Sequence, residues 1–421
     1  MRDLAVLALA DDLSGAAETA AALLSPALRA DIALADSAAA HDAHNAQNGA
    51  RALVIDLDTR QSGPDRAAAA ISRALAQHGR GDPQVLVKID SLLRGNLAAT
   101  VPAVGPAVFA PALPVGGRTV VDGVVRVHGV PLHETTAWGA ENDPPPTSVA
   151  AAVAAPCRLI SLAEVRSDPR AAIAESLAAE RVPVCDAETD SDLDAVVTAA
   201  LALPVVGLIG SGGLAAAVGR AWRGGNSLPA NEIALGSDRA VLVVVGTADP
   251  GATVQVRRLV EAGVQAVDLD VDRLAHAEPF PDEIERIASA VRKQPTVLRL
   301  DAPRGVDPAF ARTLVQRLAE TVRRVVTTVE DGGEDAVALV LTGGETARRV
   351  LDALDVHALH PIAQVHHGAV HSRTADARSV VTRPGSFGDP DSLVRIVRHL
   401  RPLFPSLPTT SPEPVPGPTE G

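Results

Sequence analysis

A chain of 421 residues, 47% of them apolar, is long enough for two or three domains and can bury a sizeable core. Its 38 basic and 51 acidic residues leave a formal charge of −13, which argues against nucleic acid as a partner but leaves room for a local Arg/Lys pocket. Two cysteines, Cys157 and Cys185, can build neither a disulfide framework nor a closed zinc site, and read as reduced thiols. Aromatic residues make up only 2%, so Ala, Val and Leu must do the packing. Lysine occurs only at Lys88 and Lys293 in a chain that otherwise uses arginine, which singles out Lys88.

The first apolar run, Leu4–Ala10, is too short for a membrane span. Acidic residues follow where a signal peptide would carry small ones, so the run reads as the first buried strand of a cytoplasmic protein with no membrane partner. Further apolar runs at Ala52–Leu57, Gln84–Ile89, Val205–Ile209, Val241–Val245, Thr296–Leu300, Val337–Leu341 and Ser379–Thr382 are candidate strands. Helical spacing appears between several of them, with faces at Val256, Leu259 and Val260 and at Leu393, Ile396, Val397 and Leu400. Apolar strands separated by helices predict an α/β fold of mostly parallel sheets covered on both faces.

Residues 101–147 break the rhythm with many Pro and Gly. The stretch around Asp122-Gly123 predicts a hairpin with a type I′ turn, and an excursion of this length suits covering or completing a site. A junction near 223–240 divides the chain into residues 1–236 and 237–401, and 402–421 form a Pro-rich tail expected to be disordered. The predicted architecture is therefore two α/β domains, each with a mostly parallel sheet flanked by helices, and an active site in the cleft between them.

Ligands of open parallel sheets bind at the carboxyl ends of the strands. In the first half these ends read Asp11-Asp12-Leu13-Ser14-Gly15, then Asp58-Thr59-Arg60, then Lys88-Ile89-Asp90-Ser91 with Arg94 and Asn96. Carboxylates can accept hydroxyl hydrogen bonds and one can take a proton, while Arg and Lys can hold a carboxylate. That combination suits a hydroxy acid, although Asp11 and Asp12 would also serve as plain helix caps. In the second half the ends carry glycine: Gly246-Thr247, Thr342-Gly343-Gly344-Glu345-Thr346 and Arg383-Pro384-Gly385 through Gly388-Asp389. Glycine loops leading into helices let backbone N–H groups approach phosphate, yet none here matches the Walker pattern. Gly210-Ser211-Gly212-Gly213-Leu214-Ala215 fits a loose dinucleotide fingerprint but lacks the acidic residue expected about 20 positions on. His366, His367 and His371 cluster without a nearby carboxylate or thiolate, so they read as a solvated loop and no metal site is assigned.

Taken in order, these motifs resemble those of the four-carbon acid sugar kinases, the family of D-threonate, D-erythronate and 3-oxo-tetronate kinases. The resemblance rests on Asp11 to Ala16, Lys88 to Ser91 with Leu93 to Asn96, Phe109 to Pro114, Gly117 to Gly123, Gly129 to Leu132, Gly210 to Ala215, Thr342 to Ala347 and Pro384 to Asp389. It implies an N-terminal domain that binds the sugar acid and a C-terminal domain that binds ATP, with Mg2+ and phosphoryl transfer between them. By position it implies substrate contacts at Asp11 or Asp12, Arg60, Lys88, Ile89, Asp90 and Ser91, to which the strand-end reading adds Arg94. It implies nucleotide contacts at Thr247, Gly343, Gly344, Glu345, Thr346 and Gly385 or Gly388. The expected mechanism holds the substrate carboxylate on Arg60 and Lys88 and orients or deprotonates the terminal hydroxyl with Asp12, or with Asp90 as second choice. Ser14, Thr247 and Arg383 depart conservatively from the family's usual Thr, Ser and Lys, whereas Leu92 replaces a usual Thr and removes a polar group from the substrate side. A dehydrogenase using the Gly210 run and a sugar-acid sensor without turnover are the alternatives. Self-association into a homo-oligomer stays open.

Overall fold

The computed structural model describes residues 4–25, 28–34, 50–139, 141, 143–204, 206–223, 240–246, 249–276, 281–301, 308–333, 335–385 and 387–404. The assigned junction and all but the start of the Pro-rich tail lie outside them. The strands of the first half are β1 (Leu4–Ala10), β2 (Leu28–Leu34), β3 (Ala50–Asp56), β4 (Gln84–Lys88), β5 (Ala107–Ala110), β6 (Arg118–Val121), β7 (Val124–Val127), β8 (Val130–Pro131), β9 (Cys157–Ile160), β10 (Val182–Cys185) and β11 (Gly207–Gly210). The second half contributes β12 (Val241–Val245), β13 (Gln265–Asp270), β14 (Thr296–Asp301), β15 (Ala338–Thr342), β16 (Ala358–His366), β17 (Ala369–Arg373) and β18 (Ser379–Arg383).

Continuous apolar runs become central strands buried on both faces, as in β12, where all five residues are buried. The first half forms a parallel sheet in the order β2-β3-β1-β4-β11-β5-β10-β9, and the second a sheet β13-β14-β12-β15-β18 that is also parallel. The antiparallel pair β17 and β16 extends the second sheet, and β16 pairs antiparallel with β2, so a single 15-stranded sheet runs through both halves. In each half the first strand, β1 or β12, has later strands on both sides of it. This is the switch point at which an open sheet leaves a crevice. The core is built of Ala, Val, Leu and Ile, and Phe109 is the aromatic among its largest fully buried side chains.

The hairpin at Asp122-Gly123 is present as β6 and β7, with φ of 54° and 72° at the turn, the left-handed pair a type I′ turn requires. With β8 it forms a small sheet docked on the first half. Val120 bridges to Ala187, the Asp186 carboxylate accepts the N–H groups of Asp122 and Gly123 at 2.9 Å each, and Trp138 Nε1 donates to Leu92 O at 2.7 Å.

Three expectations need correction. The histidine segment is no solvated loop but the hairpin β16–β17, with His371 fully buried; its strands alternate polar residues, which hid the pattern. Val260 is 42% exposed, because the inward face of that helix runs through Ala252, Gln255, Val256 and Leu259. Strands β2, β5, β9, β10 and β13 escaped the sequence reading, since β5, β9 and β10 have four residues each and β13 alternates with charge.

Candidate active site

The three charged strand ends lie side by side, because β3, β1 and β4 are neighbours in that order. Asp12 follows β1 and caps the helix Leu13–Leu23, its Oδ1 accepting Gly15 N–H at 2.8 Å. Arg60, from the loop after β3, forks onto both aspartates. Nε and Nη2 donate to Asp11 at 3.0 and 2.7 Å, and Nη1 and Nη2 donate to Asp12 at 2.7 and 3.0 Å. Burial pushes the Asp11 carboxyl up from its ordinary pKa, with the Arg60 charge opposing it.

From β4, Lys88 is buried, donates to Ile89 O at 3.1 Å and lies 3.3 Å from Glu18 Oε2. Arg94 donates to both oxygens of Asp90, at 2.5 and 3.1 Å. Burial works to raise the Asp90 pKa, but Arg94, Arg60 and Arg118 together hold it well below the usual carboxylate range. Ser91 Oγ accepts from Arg118 Nη1. Ile89 is set apart from the others: its side chain is buried in the core, and its N–H and C=O are taken by Gly210 O and Lys88.

The second half contributes its glycine loop to the same place. Gly343 takes φ of 95° and Gly344 opens the helix Gly344–Ala353. A Cβ on Gly344 would fall 2.7 Å from Asp12 Oδ2 and 3.1 Å from Ser14 Oγ, so the loop backbone rests directly on the aspartate of the first half. Two ion pairs hold that helix against the end of β3: Arg348 Nη1 bonds Asp56 Oδ2 at 3.0 Å and Arg349 Nη2 bonds Asp58 Oδ2 at 2.5 Å. Thr346 packs under Gly246, where a Cβ would meet its Oγ1. Gly385 and Gly388 lie in a loop whose carbonyls are gathered by Arg383 and Gln255. Thr247 lies outside the described residues.

A cavity of about 650 Å³ opens at this junction. Asp11, Asp12, Asp58, Arg60, Arg66 and Arg94 line it from the first half, and Arg312, Gln316, Gly344, Glu345 and Arg349 from the second. With Glu141 it presents as many carboxylates as arginines, so an anion does not meet there the net negative charge of the whole chain. Sequence reasoning missed Arg66, Arg312, Gln316 and Arg349, which come from helices rather than strand ends. The spacing of Arg348 and Arg349 behind the Gly-Gly-Glu loop was the one available signal. The Gly210 run serves packing instead of a cofactor: a Cβ on Gly212 would meet the Glu18 carboxylate at 2.2 Å, and one on Gly213 would meet Ala112 O at 2.4 Å. Among the described residues no cluster of three or more His, Cys, Asp or Glu could hold a metal ion, and no helix is long and apolar enough to cross a membrane.

These features define a two-domain α/β enzyme that brings a polar, charged site up against a glycine loop. Residues 6–218 match the model of a sugar-binding N-terminal domain and residues 242–393 that of a nucleotide-binding C-terminal domain. D-threonate kinase of Cupriavidus necator is 32% identical over 92% of this chain and 96% of its own length. The 3-oxo-tetronate kinase of the same organism is 29% identical over 93% and 96%. A Salmonella typhimurium LT2 protein, whose crystal structure was described as that of a tRNA synthase, shares the fold with a TM-score of 0.75 at 22% identity, over 94% of this chain and 99% of its own. The chain belongs to the four-carbon acid sugar kinase family, whose members are phosphotransferases with an alcohol group as acceptor.

Proposed function

We propose that this chain is a cytoplasmic, ATP-dependent kinase that phosphorylates the terminal hydroxyl of a four-carbon sugar acid of the threonate, erythronate or 3-oxo-tetronate type. The observation that carries the reading is the contact between Asp12 and Gly344, which sets a hydroxyl-orienting carboxylate against the start of a glycine-loop helix. That contact leaves no room for a side chain on the loop, and the first N–H groups of the helix are the kind of donors phosphate oxygens accept.

Arg60 fixes the Asp12 carboxylate from one side and the Gly15 N–H from the other, so the group is oriented before substrate arrives. Asp12 would then accept the terminal hydroxyl and point it at the incoming phosphorus. Asp90 suits that task less, because the arginines around it hold it ionised and reduce its basicity. Its role would be to orient Arg94 in the cleft. ATP would lie along Gly343 to Thr346 with Thr247, Gly385 and Gly388 around it, and would supply the phosphoryl group. Mg2+ entering with the nucleotide needs few protein ligands, and Glu345 is the exposed carboxylate at the loop. Catalysis of this kind is mainly positioning and electrostatics, which the paired charges of the site provide.

The experiment is a coupled ADP-release assay across four-carbon sugar acids, with the phosphorylated product identified by mass. Asp12→Asn should lower kcat by about 10³-fold, the middle of the usual range for a positioned acid–base group. A panel in which no acid stimulates ADP release, or an Asp12→Asn enzyme with wild-type kcat, would show the proposal to be wrong.

A further inference from the structure

The expected anchors for a substrate carboxylate are already occupied by carboxylates of the protein itself. Arg60 is shared between Asp11 and Asp12, Arg94 is matched by Asp90, and Lys88 faces Glu18. Arg118 differs. Among the described residues it has no carboxylate within ion-pair distance, and its buried Nε has no hydrogen-bond acceptor. Its Nη1 donates to Ser91 Oγ, which leaves the Nε edge of the fork unused. A buried donor without an acceptor costs free energy and calls for an explanation in a native structure.

We propose that Arg118 receives the carboxylate of the sugar acid, with Ser91 beside it as a hydroxyl partner. This deepens the kinase reading and rests on it. The planar guanidinium matches a carboxylate in two parallel hydrogen bonds, which neither a lysine nor an arginine already saturated by aspartates offers. Its platform is rigid: Arg118 opens β6 of the docked small sheet, and the same excursion is tied to the Lys88–Arg94 loop through Trp138 and Leu92 O. The excursion thus sets beside Ser91 and Asp90 a cation that no strand end supplies. Across the junction, the Phe387 ring lies 5.5 Å from the guanidinium carbon, so a loop of the second half packs against the same cation. Burial pulls the Arg118 pKa below its ordinary value, with Asp90 and Glu18 opposing and Arg94 adding to the fall. A bound carboxylate would compensate that charge.

The test compares wild type, Arg118→Leu and Arg118→Lys on two acceptors: the acid that wild type prefers, and the four-carbon polyol with a hydroxymethyl group in place of the carboxylate. Arg118→Leu should raise KM for the acid by about 100-fold, the scale of losing a buried charge-assisted pair, with KM for ATP unchanged. The preference for the acid over the polyol should fall about 100-fold in Arg118→Leu, an outcome that general misfolding would not give. Arg118→Lys should recover part of the preference for the acid, since it keeps the charge and loses the fork. Retained discrimination in Arg118→Leu, or a shift confined to KM for ATP, overturns the assignment and leaves the kinase reading standing. A wild-type enzyme that phosphorylates no acid overturns both.

Discussion

The two halves of this molecule share one sheet but prepare their strand ends by opposite means. In the first half the ends of β3, β1 and β4 carry acidic and basic side chains locked in pairs, with Arg60 on Asp11 and Asp12, Arg94 on Asp90, and Lys88 on Glu18. In the second the ends of β12, β15 and β18 carry glycine, and the work passes to the backbone, as at Gly343 with its φ of 95°. Paired charges hold side chains in fixed directions and suit the recognition of hydroxyl groups one by one. Bare backbone presents a row of identical donors and suits a chain of phosphates. The difference teaches that a parallel sheet edge is neutral as to ligand, and that the residue after each strand decides the chemistry.

The sharpest way to break the contrast, after Asp12→Asn, is to give the backbone half a side chain where the halves touch. In Gly344→Ala the new Cβ would sit 2.7 Å from Asp12 Oδ2. Gly344 has no positive φ, so the helix itself accepts alanine and the strain falls on the aspartate. We expect kcat/KM to fall about 100-fold, the scale associated with misplacing a catalytic group by an ångström, while the melting temperature changes little. Equal losses of activity and stability would show that the contact is only packing.

A second test separates the halves by pH. Arginines hold the buried Asp90 of the first half ionised, whereas burial keeps His371 of the second half neutral. His371 is fully buried against His399, with Nδ1 2.9 Å from His399 Nε2 and no partner on its own Nε2. Burial, with His399 and Arg373 nearby, lowers its pKa from 6.5 to about 3. A histidine depressed in the folded state contributes stability that is present above the unfolded value, and this is lost as pH falls from 6.5 toward 3. At pH 5 the loss is roughly 2 kcal/mol relative to pH 7. In denaturant melts, lowering the pH from 7 to 5 should therefore cost wild type roughly 2 kcal/mol more than His371→Leu. Parallel curves would mean that His371 does not titrate in this window.

Much of this site was legible in the sequence because strand ends announce themselves: an apolar run stops and the next residues face the crevice. Asp11, Asp12, Arg60 and Gly344, read from strand ends, line the cavity, and β3, β1 and β4 are adjacent. What stayed hidden depends on side chains arriving from elsewhere. Arg349 and Arg312 project from helices, whose faces cannot be aimed without knowing how the helix packs. Arg118 sat inside a hairpin that was foreseen, but its register over Ser91 depends on the Asp186 and Trp138 contacts that dock the small sheet. Pairing was equally invisible. Composition cannot say that Lys88 is taken by Glu18, a residue 70 positions away that reads as an ordinary helix surface charge.

The mildest test concerns how the backbone half is held in shape without charged pairs. Arg383 is fully buried at the end of β18 and spends its donors on Pro384 O, Gly385 O, Phe387 O and the Gln255 side chain. Gln255, from the helix Pro250–Glu261, donates in turn to Phe387 O, Gly388 O and Asp389 O. Carbonyls drawn inward by these two side chains fix the course of the loop. Gln255→Leu removes one arm of this brace and keeps Arg383 in place. KM for ATP should rise about 10-fold, the value of one or two hydrogen bonds to a positioned loop, while KM for the acid stays constant. Should KM for the acid rise with it, the halves are not divided by ligand, and the contrast between paired charge and bare backbone loses its functional meaning.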